Sequence, residues 1–346
     1  MWKVGIIGAT GYAGQDLVRI LNGHSAIQIS GLGSNSYQGQ AFSEVYPHFR
    51  GVVDLTCQAA DDPQLIANSD VIFIALPHGH SVKIAQTALK QGKRVIDLGA
   101  DFRLKDPEVY KEWYQIEGAD KEQLSAAVYG LSEINRKKIA HSMLVANPGC
   151  YPTTIILALA PLLEEKVIDP SLMIIDSKSG VSGAGRGTSL NTHYCETNEN
   201  LKAYGVPKHR HIPEIEQELS LKADQKVQVS FTPHLIPITR GMLSTIYTVP
   251  LEGIEPKDIA EIYQAYYGTE PFIRLLPAGE LPHTKWVVGT NYCDLGYSWD
   301  ERTGRLTLFS AIDNLVKGAA GQAVQNMNIM LGLEETLGLL GTAIYP

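Results

Sequence analysis

Cys150 is the residue whose surroundings most clearly indicate chemistry. It follows a sharp turn at Pro148 and Gly149 and stands at the start of an apolar segment with helical periodicity. A helix N-terminus stabilises a thiolate and lowers the pKa of the thiol, and its N–H groups could also stabilise an oxyanion on an attacked carbonyl. We therefore predict that Cys150 is a nucleophile. The other three cysteines lack such a setting and are predicted to be inert: Cys57, Cys195 and Cys293.

A glycine-rich loop near the N-terminus predicts a dinucleotide site. Gly8, Gly11 and Gly14 are evenly spaced, directly after the apolar run at residues 4–7 and at the start of a helical pattern. Glycines permit the tight turn, and the N–H groups at the helix start can bind a pyrophosphate. A glycine-rich turn that binds nothing is the alternative. The predicted contacts come from this loop and from the end of a later strand: Gly8, Thr10, Gly11, Tyr12, Ala13, Gly14, Pro77 and His78.

The end of the second predicted strand bears on the choice of nucleotide. An NAD site usually has an Asp or Glu there, which accepts hydrogen bonds from the ribose hydroxyls. This chain instead has Ser34, Asn35 and Ser36, and no carboxylate that would repel a 2′-phosphate. The pattern favours NADP(H), with Ser34 and Ser36 as contacts, although an ordinary polar loop would look the same.

The elements that must position these residues form two patterns. In the first half, short apolar strands alternate with helical stripes, which predicts a doubly wound parallel sheet of the Rossmann type. The predicted strands are residues 4–7, 27–32, 71–76 and 95–98. The predicted helices end at Gly23 and Gly92, both good C-terminal signals.

The second half has longer strands and fewer helices, which predicts an α+β domain with a mixed or antiparallel sheet. After a helix from Cys150 to Leu163, the expected strands are residues 173–176, 227–231, 242–249, 286–288 and 305–312. A Gly/Ala-rich helical stretch follows, and its small side chains would allow it to pack against the first domain. We therefore expect a dinucleotide-binding domain at 1–149, a catalytic domain at 150–312, and a returning C-terminal helix within 313–346.

Composition excludes several other classes of protein. Of the 346 residues, 44% are hydrophobic and 19% charged, which is typical of a globular chain. The formal net charge of −8 argues against nucleic acid as a partner. We see no charged leader and no apolar stretch long enough for a membrane span, so we expect a cytoplasmic protein. The scattered cysteines predict neither a metal site nor a disulfide framework.

Several separate motifs resemble one enzyme family. The glycine loop at 8–14 and the sequence Asn-Pro-Gly-Cys-Tyr-Pro-Thr at 147–153 are similar to N-acetyl-γ-glutamyl-phosphate reductases, which are relatives of aspartate-semialdehyde dehydrogenase. The similarity covers essentially the whole chain, in the order of the family's motifs. Thr154 is a mild departure, because Gly or Ala is expected there. The further matching segments are residues 97–103, 129–133, 179–186 and 209–214.

The resemblance implies a reductive dephosphorylation of N-acetylglutamyl 5-phosphate in arginine biosynthesis, on a fold like that of glyceraldehyde-3-phosphate dehydrogenase. Cys150 would expel phosphate to form a thioester, which NADPH would then reduce to the semialdehyde. A homodimer or homotetramer is also implied. Further cofactor contacts would be Gly183 and Asn314. The substrate anions would be bound by Arg103, Asn147, Ser179, Gly180, Ser182 and Arg186.

This chemistry also needs an acid–base group. His209 and His211 are two residues apart, so on an extended segment their side chains would point the same way. Glu214 could orient one of the rings through its N–H group. We predict His209 as the acid–base residue, with His211 as the alternative.

Three other functions compete with this prediction. A related acyl-phosphate reductase could use an aspartyl or aminoadipyl substrate, because the sequence does not reveal the length of the acid. A non-catalytic regulator that senses NADP(H) would explain the glycine loop but would leave Cys150 and His209 without a task. A thiol hydrolase would use these two residues but not the dinucleotide fold.

Overall fold

The structure of the protein is a computed structural model that describes residues 1–345. The chain divides into two compact units. Unit 1 comprises Met1–Pro148 and Ala319–Leu340, and unit 2 comprises Gly149–Gly318 and the segment that begins at Gly341. The chain therefore passes from unit 1 to unit 2 between Pro148 and Gly149, one residue before Cys150.

Unit 1 contains a seven-stranded parallel sheet. Its strands are β1 (Trp2–Ile7), β2 (Ile27–Gly33), β3 (Cys57–Gln58), β4 (Val71–Ile74), β5 (Arg94–Asp97), β6 (Val128–Tyr129) and β7 (Leu144–Ala146). They lie in the order β3-β2-β1-β4-β5-β7-β6, with every pair parallel. All four residues of β4 are buried, as expected for a central strand covered on both faces. The predicted doubly wound parallel sheet is confirmed.

The helices of unit 1 begin and end close to the predicted signals. Helix α1 starts after Gly11 and ends at Gly23, and α4 ends just before Gly92. The seven helices that precede the unit boundary are α1 (Tyr12–Asn22), α2 (Phe42–Val45), α3 (Pro63–Ala67), α4 (Val82–Lys90), α5 (Pro107–Tyr114), α6 (Lys121–Ala126) and α7 (Ser132–Ile139), and a 3-10 turn covers Pro47–Phe49.

One helix of unit 1 comes from near the end of the chain. Helix α13 (Gly321–Met330) is buried over its whole length, although it carries two Gln and two Asn side chains. Its Asn326 donates from Nδ2 to the backbone oxygen of Gly130 at 2.8 Å and accepts from Ser132 Oγ at 2.8 Å. Buried amides need such partners, so α13 joins this unit through specific hydrogen bonds as well as apolar contact.

Unit 2 contains a seven-stranded mixed sheet. Its strands are β8 (Ile174–Gly180), β9 (Lys202–Ala203), β10 (Ser230–Ile236), β11 (Met242–Thr248), β12 (Ile273–Leu275), β13 (Cys293–Asp300) and β14 (Arg305–Ile312). They lie in the order β12-β13-β14-β11-β8-β10-β9. The central strand β11 is antiparallel to both neighbours, whereas β8 and β10 are parallel. The predicted mixed sheet is therefore confirmed.

Helices and turns connect these strands. The helices are α8 (Cys150–Glu164), α9 (Tyr194–Thr197), α10 (Ile212–Ala223), α11 (Pro256–Tyr267) and α12 (Thr284–Val287). Short 3-10 turns cover Val181–Ala184 and Leu190–Thr192, and a π-helical turn covers Val316–Ala320. Within residues 1–345, no helix is both long and apolar enough to cross a membrane.

Helix α8 lies in the hydrophobic core of unit 2. All but two of its residues are buried, and it packs against β11, β14, α10 and α11. The hydroxyl of Thr154, the residue that departs from the family pattern, lies 2.6 Å from Ser244 Oγ. Ser244 Oγ lies in turn 2.7 Å from Ser177 Oγ. A threonine is accommodated at this position because its hydroxyl joins a buried chain of hydroxyl groups.

A proline interrupts the hydrogen bonding of α8. Pro161 has no N–H group, so the carbonyl of Leu157, four residues earlier, loses its helical donor. The hydroxyl of the buried Tyr267 donates to that carbonyl oxygen at 2.8 Å. Tyr263 donates in the same way to the carbonyl of Ala158 at 2.6 Å. Helix α11 thus supplies the donor that Pro161 removes.

Unit 2 differs from the sequence prediction at residues 286–288 and at strands β9, β12 and β13, which the sequence analysis does not predict. Of residues 286–288, predicted as a strand, Trp286 and Val287 instead lie in the short helix α12 and Val288 is its C-cap. Val287 is buried, and Trp286 stacks on His283 with ring centroids 4.2 Å apart. The prediction missed β13, because an internal Gly296 and acidic residues at Asp294 and Asp300 mask its strand pattern.

Tyr267→Phe should destabilise unit 2, because it leaves the buried carbonyl of Leu157 without a donor. We expect the free energy of unfolding to fall by about 1–3 kcal/mol in denaturant titrations. Tyr266→Phe is the matched control, since the Tyr266 hydroxyl bonds the exposed side chain of Glu165 and should contribute less than about 0.5 kcal/mol. Equal losses in the two variants would contradict this explanation.

Candidate active site

Cys150 is the first residue of α8, as predicted. Gly149 is the N-cap with extended backbone, and the first turn of the helix contains no acidic residue. The thiol is half-buried, whereas Cys57 and Cys293 are buried and Cys195 is exposed. The helix end stabilises negative charge at this position. Cys150 therefore combines partial access with an environment that favours its thiolate.

The π-helical turn packs directly on the backbone of Cys150. A Cβ atom placed on Gly318 would lie 2.8 Å from the Cβ of Cys150 and 3.2 Å from its Cα. Real Cβ atoms do not approach so closely, so only glycine fits without displacing the nucleophile. A sequence pattern of small residues near Lys317 does not reveal this contact, because it joins positions far apart in the chain.

Glu214 has a partner that the sequence analysis did not foresee. Its carboxylate is buried at the start of α10, and Oε1 accepts a hydrogen bond from the backbone N–H of Gly149 at 2.8 Å. A carboxylate that accepts from a backbone N–H forms a strong, charge-assisted bond. Glu214 therefore fixes the residue that precedes Cys150. Its predicted role in orienting a histidine stays a prediction.

The two predicted histidines lie beside Tyr151, the residue after Cys150. The ring centroids of His209 and His211 are 4.9 Å apart. The ring centroid of Tyr151 lies 5.5 Å from that of His209 and 5.9 Å from that of His211. The expectation of an extended segment is wrong, because both histidines lie in the turn that leads into α10, with His211 as its N-cap. The rings meet through this turn and through packing on Tyr151.

His209 is held as a neutral ring. The backbone N–H of His211 donates to its Nδ1 at 3.1 Å, so the neutral ring carries its proton on Nε2. Burial and, to a smaller extent, the charge of Arg210 lower the pKa of His209 to about 4. At neutral pH this histidine is thus a hydrogen-bond donor at Nε2.

The glycine loop has the geometry of an anion site in unit 1. Gly8 has a φ of 85°, and a side chain there would overlap the carbonyl of Ala75. A side chain on Gly14 would overlap the carbonyl of Gly8, so α1 can approach β1 only with glycine at this position. No side chain caps the start of α1. The residues therefore fit a pyrophosphate bound at the helix N-terminus.

The residues after β2 contain no carboxylate, as the sequence indicates. Thr10 Oγ1 and Ser34 Oγ lie 2.7 Å apart and are both buried, so Ser34 ties the end of β2 to the glycine loop. Ser36 is exposed. Ser36 is thus the more accessible of the two predicted contacts for a ribose phosphate.

Two of the predicted substrate residues are engaged within unit 1. Arg103 is buried and donates from Nε to the backbone oxygen of Asn147 and from Nη2 to that of Leu98, both at 2.8 Å. The amide of Asn147 donates to the carbonyl of Ala319 and accepts from Asn326. These contacts show that both side chains hold the end of β7, and substrate binding by them stays a prediction.

The predicted anion-binding loop of unit 2 is tied to the segment between β10 and β11. The N–H groups of Gly180, Val181 and Ser182 donate to backbone carbonyls of that segment. The side chain of Asn314 also joins this loop to the segment between β10 and β11, because it accepts from Gly241 N–H and donates to Ser182 Oγ. The N–H groups of residues 180–182 therefore hold the loop in place, and anion binding by Gly180 and Ser182 stays a prediction.

The remaining predicted site residues are placed in both units. Ser179 is buried at the end of β8, and Arg186 is half-buried beyond the loop. Pro77 is exposed and His78 half-buried in the turn after β4. No group of three or more His, Cys, Asp or Glu side chains within residues 1–345 has the arrangement of a metal site.

Known proteins match the chain over its whole length. Two family descriptions apply: "Semialdehyde dehydrogenase, NAD binding domain" to residues 3–142, and "Semialdehyde dehydrogenase, dimerisation domain" to residues 150–314. N-acetyl-gamma-glutamyl-phosphate reductase from Pelotomaculum thermopropionicum is 57% identical over 344 residues, 99% of each chain. The same enzyme from Desulforamulus reducens is 55% identical over 346 residues, 100% of each. This chain belongs to the N-acetyl-γ-glutamyl-phosphate reductase family. The resemblance found in the sequence is confirmed.

Solved structures outside this reductase family share the fold. Aspartate semialdehyde dehydrogenase II from Vibrio cholerae, complexed with ASA, has a TM-score of 0.74 at 18% identity and covers 96% of this chain and 98% of its own. Aspartate semialdehyde dehydrogenase from Candida albicans, solved with NADP, has a TM-score of 0.68 at 16% identity. The match covers 96% of this chain and 99% of that one. At these identities the likeness shows the fold alone.

His209→Asn should change how the stability of this reductase-family chain depends on pH. The pKa of His209 is about 4 in the folded chain and about 6.5 without the fold, so the unfolded chain binds more protons between these values. Stability is therefore lost as pH falls from about 6.5 to about 4. We expect the variant, which cannot titrate, to avoid this loss, which is at most about 3 kcal/mol.

The measurement is denaturant unfolding of wild type and variant at several pH values. His193→Asn, at an exposed histidine of the same unit, is the control. Parallel curves for wild type and His209→Asn would contradict a buried, neutral His209.

Proposed function

We propose that the protein catalyses NADPH-dependent reductive dephosphorylation of N-acetyl-L-glutamyl 5-phosphate to N-acetyl-L-glutamate 5-semialdehyde. The observation that carries this proposal is Cys150, half-buried at the start of α8 with His209 and His211 packed beside the next residue. Relatives more than half identical over their full length bear the name of this enzyme. We place the reaction in arginine biosynthesis and in the cytoplasm.

The proposed reaction begins at the sulfur of Cys150. Its thiolate attacks the acyl carbon, the bond to the phosphate oxygen breaks, and inorganic phosphate leaves with the electron pair. The thioester that remains is attached to the enzyme. When bound, the nicotinamide supplies the hydride that reduces this thioester. The tetrahedral species then collapses, the C–S bond breaks, and Cys150 is released as the aldehyde forms.

The neighbours of Cys150 have distinct tasks in this proposal. The N–H groups at the start of α8 stabilise the negative oxygen of each tetrahedral species. His209 is the proposed acid–base residue, whose Nε2–H donates a hydrogen bond to that oxygen, and His211 is the alternative. Glu214 keeps Gly149, and with it the start of the helix, in place.

The proposed cofactor is NADP(H). Its pyrophosphate would bind at the start of α1, where Gly8 and Gly14 leave room for it. The hydroxyls of Ser34 and Ser36 would donate hydrogen bonds to a 2′-phosphate, and neither side chain carries a charge that would repel it. The other proposed contacts are Thr10, Gly11, Tyr12, Ala13, Pro77, His78, Gly183 and Asn314, and the substrate would be bound by Arg103, Asn147, Ser179, Gly180, Ser182 and Arg186.

The reverse reaction tests the proposal directly. The protein is mixed with N-acetylglutamate semialdehyde, phosphate and NADP⁺, and absorbance of the reduced nicotinamide is recorded. We expect phosphate-dependent reduction, and a fall in kcat of at least about 10³-fold in Cys150→Ser, with NADP⁺ binding retained. Cys195→Ser, at an exposed cysteine of the same unit, should behave as wild type.

Different outcomes separate the competing functions. Absence of phosphate-dependent reduction would exclude the reductase, and NADP⁺ binding alone would indicate a regulator. Hydrolysis of the acyl phosphate without nicotinamide turnover would indicate a thiol hydrolase. Faster turnover with aspartate or aminoadipate semialdehyde would indicate the related reductases, and equal kcat/KM with NAD⁺ would contradict the preference for NADP.

We further propose a homodimer that forms through one face of the unit 2 sheet, with a tetramer built from two such dimers. Ser177 and Ser244 face α8, so Ile174 and Tyr247, which pair in register, lie on the opposite face. Ile174 is 50% and Tyr247 38% exposed, although both are large apolar side chains on a sheet. Such a face is suited to an interface.

Tyr247→Lys should weaken this dimer, because it places a new charge beside the exposed side chain of Ile174. Sedimentation velocity at micromolar concentrations should show the dissociation constant rising at least about tenfold. Leu221→Lys is the control, since Leu221 is 68% exposed on α10, away from the sheet. A monomeric wild type, or an unchanged dissociation constant, would contradict the proposed interface.

A further inference from the structure

The turn at residues 77–81, which connects β4 to α4, is held by a carboxylate from another loop. Asp101 is buried beyond the end of β5. Its Oδ1 accepts from the backbone N–H of Gly79 at 2.7 Å, and its Oδ2 accepts from that of Ser81 at 2.9 Å. Oδ1 also accepts from the hydroxyl of Tyr110 at 2.7 Å. One side chain thus fixes two backbone groups of the turn.

A second buried carboxylate, that of Asp97, holds the same turn through the hydroxyl group of Ser81. Oδ1 of Asp97, at the end of β5, accepts from Ser81 Oγ at 2.7 Å and from Gly99 N–H at 3.0 Å. Two buried carboxylates near each other are costly, because each loses hydration and repels the other. Burial, and after it the charge of Asp101, raise the pKa of Asp97 to about 7.

Aromatic contacts position the side chain of His78 in the same turn. The ring of Tyr110 stacks on Tyr114, with centroids 4.6 Å apart and an interplanar angle of 11°. Tyr114 in turn meets His78 edge to face, with centroids 5.0 Å apart. Asp101 therefore controls the backbone of the turn directly and the setting of His78 through the hydroxyl of Tyr110.

The turn adjoins the glycine loop. β4 pairs with β1 in parallel register, so both strands end at the same edge of the sheet. A side chain on Gly8 would overlap the carbonyl of Ala75, which directly follows β4. Ligands of doubly wound sheets bind beyond the carboxyl ends of such strands. Gly79 itself has a φ of 85°, and a Cβ there would lie 2.7 Å from Ile116 Cδ1.

We propose that Asp101 is a positioning residue that fixes the turn at 77–81 in the shape that receives the dinucleotide. It does not touch the ligand and acts through Gly79, Ser81 and the stacked Tyr110. The proposal rests on the proposed function in one respect only, namely that a dinucleotide binds beside the glycine loop.

The test compares Asp101→Asn and Tyr110→Phe with wild type in NADPH titrations followed by nucleotide fluorescence. In Asp101→Asn an amide NH₂ replaces one acceptor, so a backbone N–H of the turn loses its partner. We expect the dissociation constant for NADPH to rise at least about tenfold in Asp101→Asn and about threefold in Tyr110→Phe. The KM for N-acetylglutamate semialdehyde and the rate of Cys150 alkylation should stay within about twofold of wild type.

Asp106→Asn is the matched control, because Asp106 caps α5 in the same unit and Asn caps helices equally well. An unchanged dissociation constant in both Asp101→Asn and Tyr110→Phe would overturn the proposal. A rise in the KM for N-acetylglutamate semialdehyde as large as the rise in the dissociation constant for NADPH would also overturn it, because it would indicate a general loss of structure. If Asp101→Asn fails to fold, Tyr110→Phe alone decides. A wild type that binds neither NADPH nor NADH would instead refute the proposed cofactor site.

Discussion

The hydrogen bond from the N–H of Gly149 to the buried carboxylate of Glu214 is the constraint on which the site in unit 2 depends. It joins the residue before Cys150 to the first turn of α10, and the turn that leads into α10 carries both His209 and His211. Gly318 bounds Cys150 on another side. The sulfur and the imidazoles are therefore held by one connected set of contacts, and a shift of any one element would move the others.

Buried polar groups elsewhere in the chain follow the same rule. The carbonyl that Pro161 leaves without a helical donor is satisfied by Tyr267, and the amide of Asn326 in α13 is satisfied by Gly130 and Ser132. Each bond joins segments that are far apart in sequence, so each also specifies which elements pack together. The polar interior of this protein thus contributes to the uniqueness of its fold as well as to its stability.

Much of the architecture could be predicted from the sequence because it depends on local patterns. The apolar run of β4, the Asn-Gly stop of α1 and the start of α8 at Cys150 all lie where periodicity and turn residues indicate. Strand β13 was missed because its pattern is broken by Gly296, and its pairing with β12 and β14 is visible only in the folded chain. Residues 286–288 have high β propensity, but tertiary packing overrides it, and Trp286 and Val287 form the end of helix α12.

The candidate site was predictable in its residue types and less so in its geometry. The glycine loop and Cys150 are marked by neighbouring residues. The partner of Glu214, the tautomer of His209 and the contact of Gly318 with Cys150 depend on segments that only the folded chain brings together. Asn147 and Asn314 illustrate the same limit, because the sequence identifies an amide but does not reveal the bonds that already occupy it.

The placement of α13 has a consequence for the order of folding during synthesis. Unit 1 needs residues 319–340 as well as residues 1–148, whereas the main part of unit 2 is one continuous stretch that is translated in between. While the ribosome makes that stretch, Gly130, Ser132 and Asn147 lack the partners that α13 later provides. The nascent chain can therefore form most of the later unit before the earlier one is complete, so the unit that is begun first is finished last.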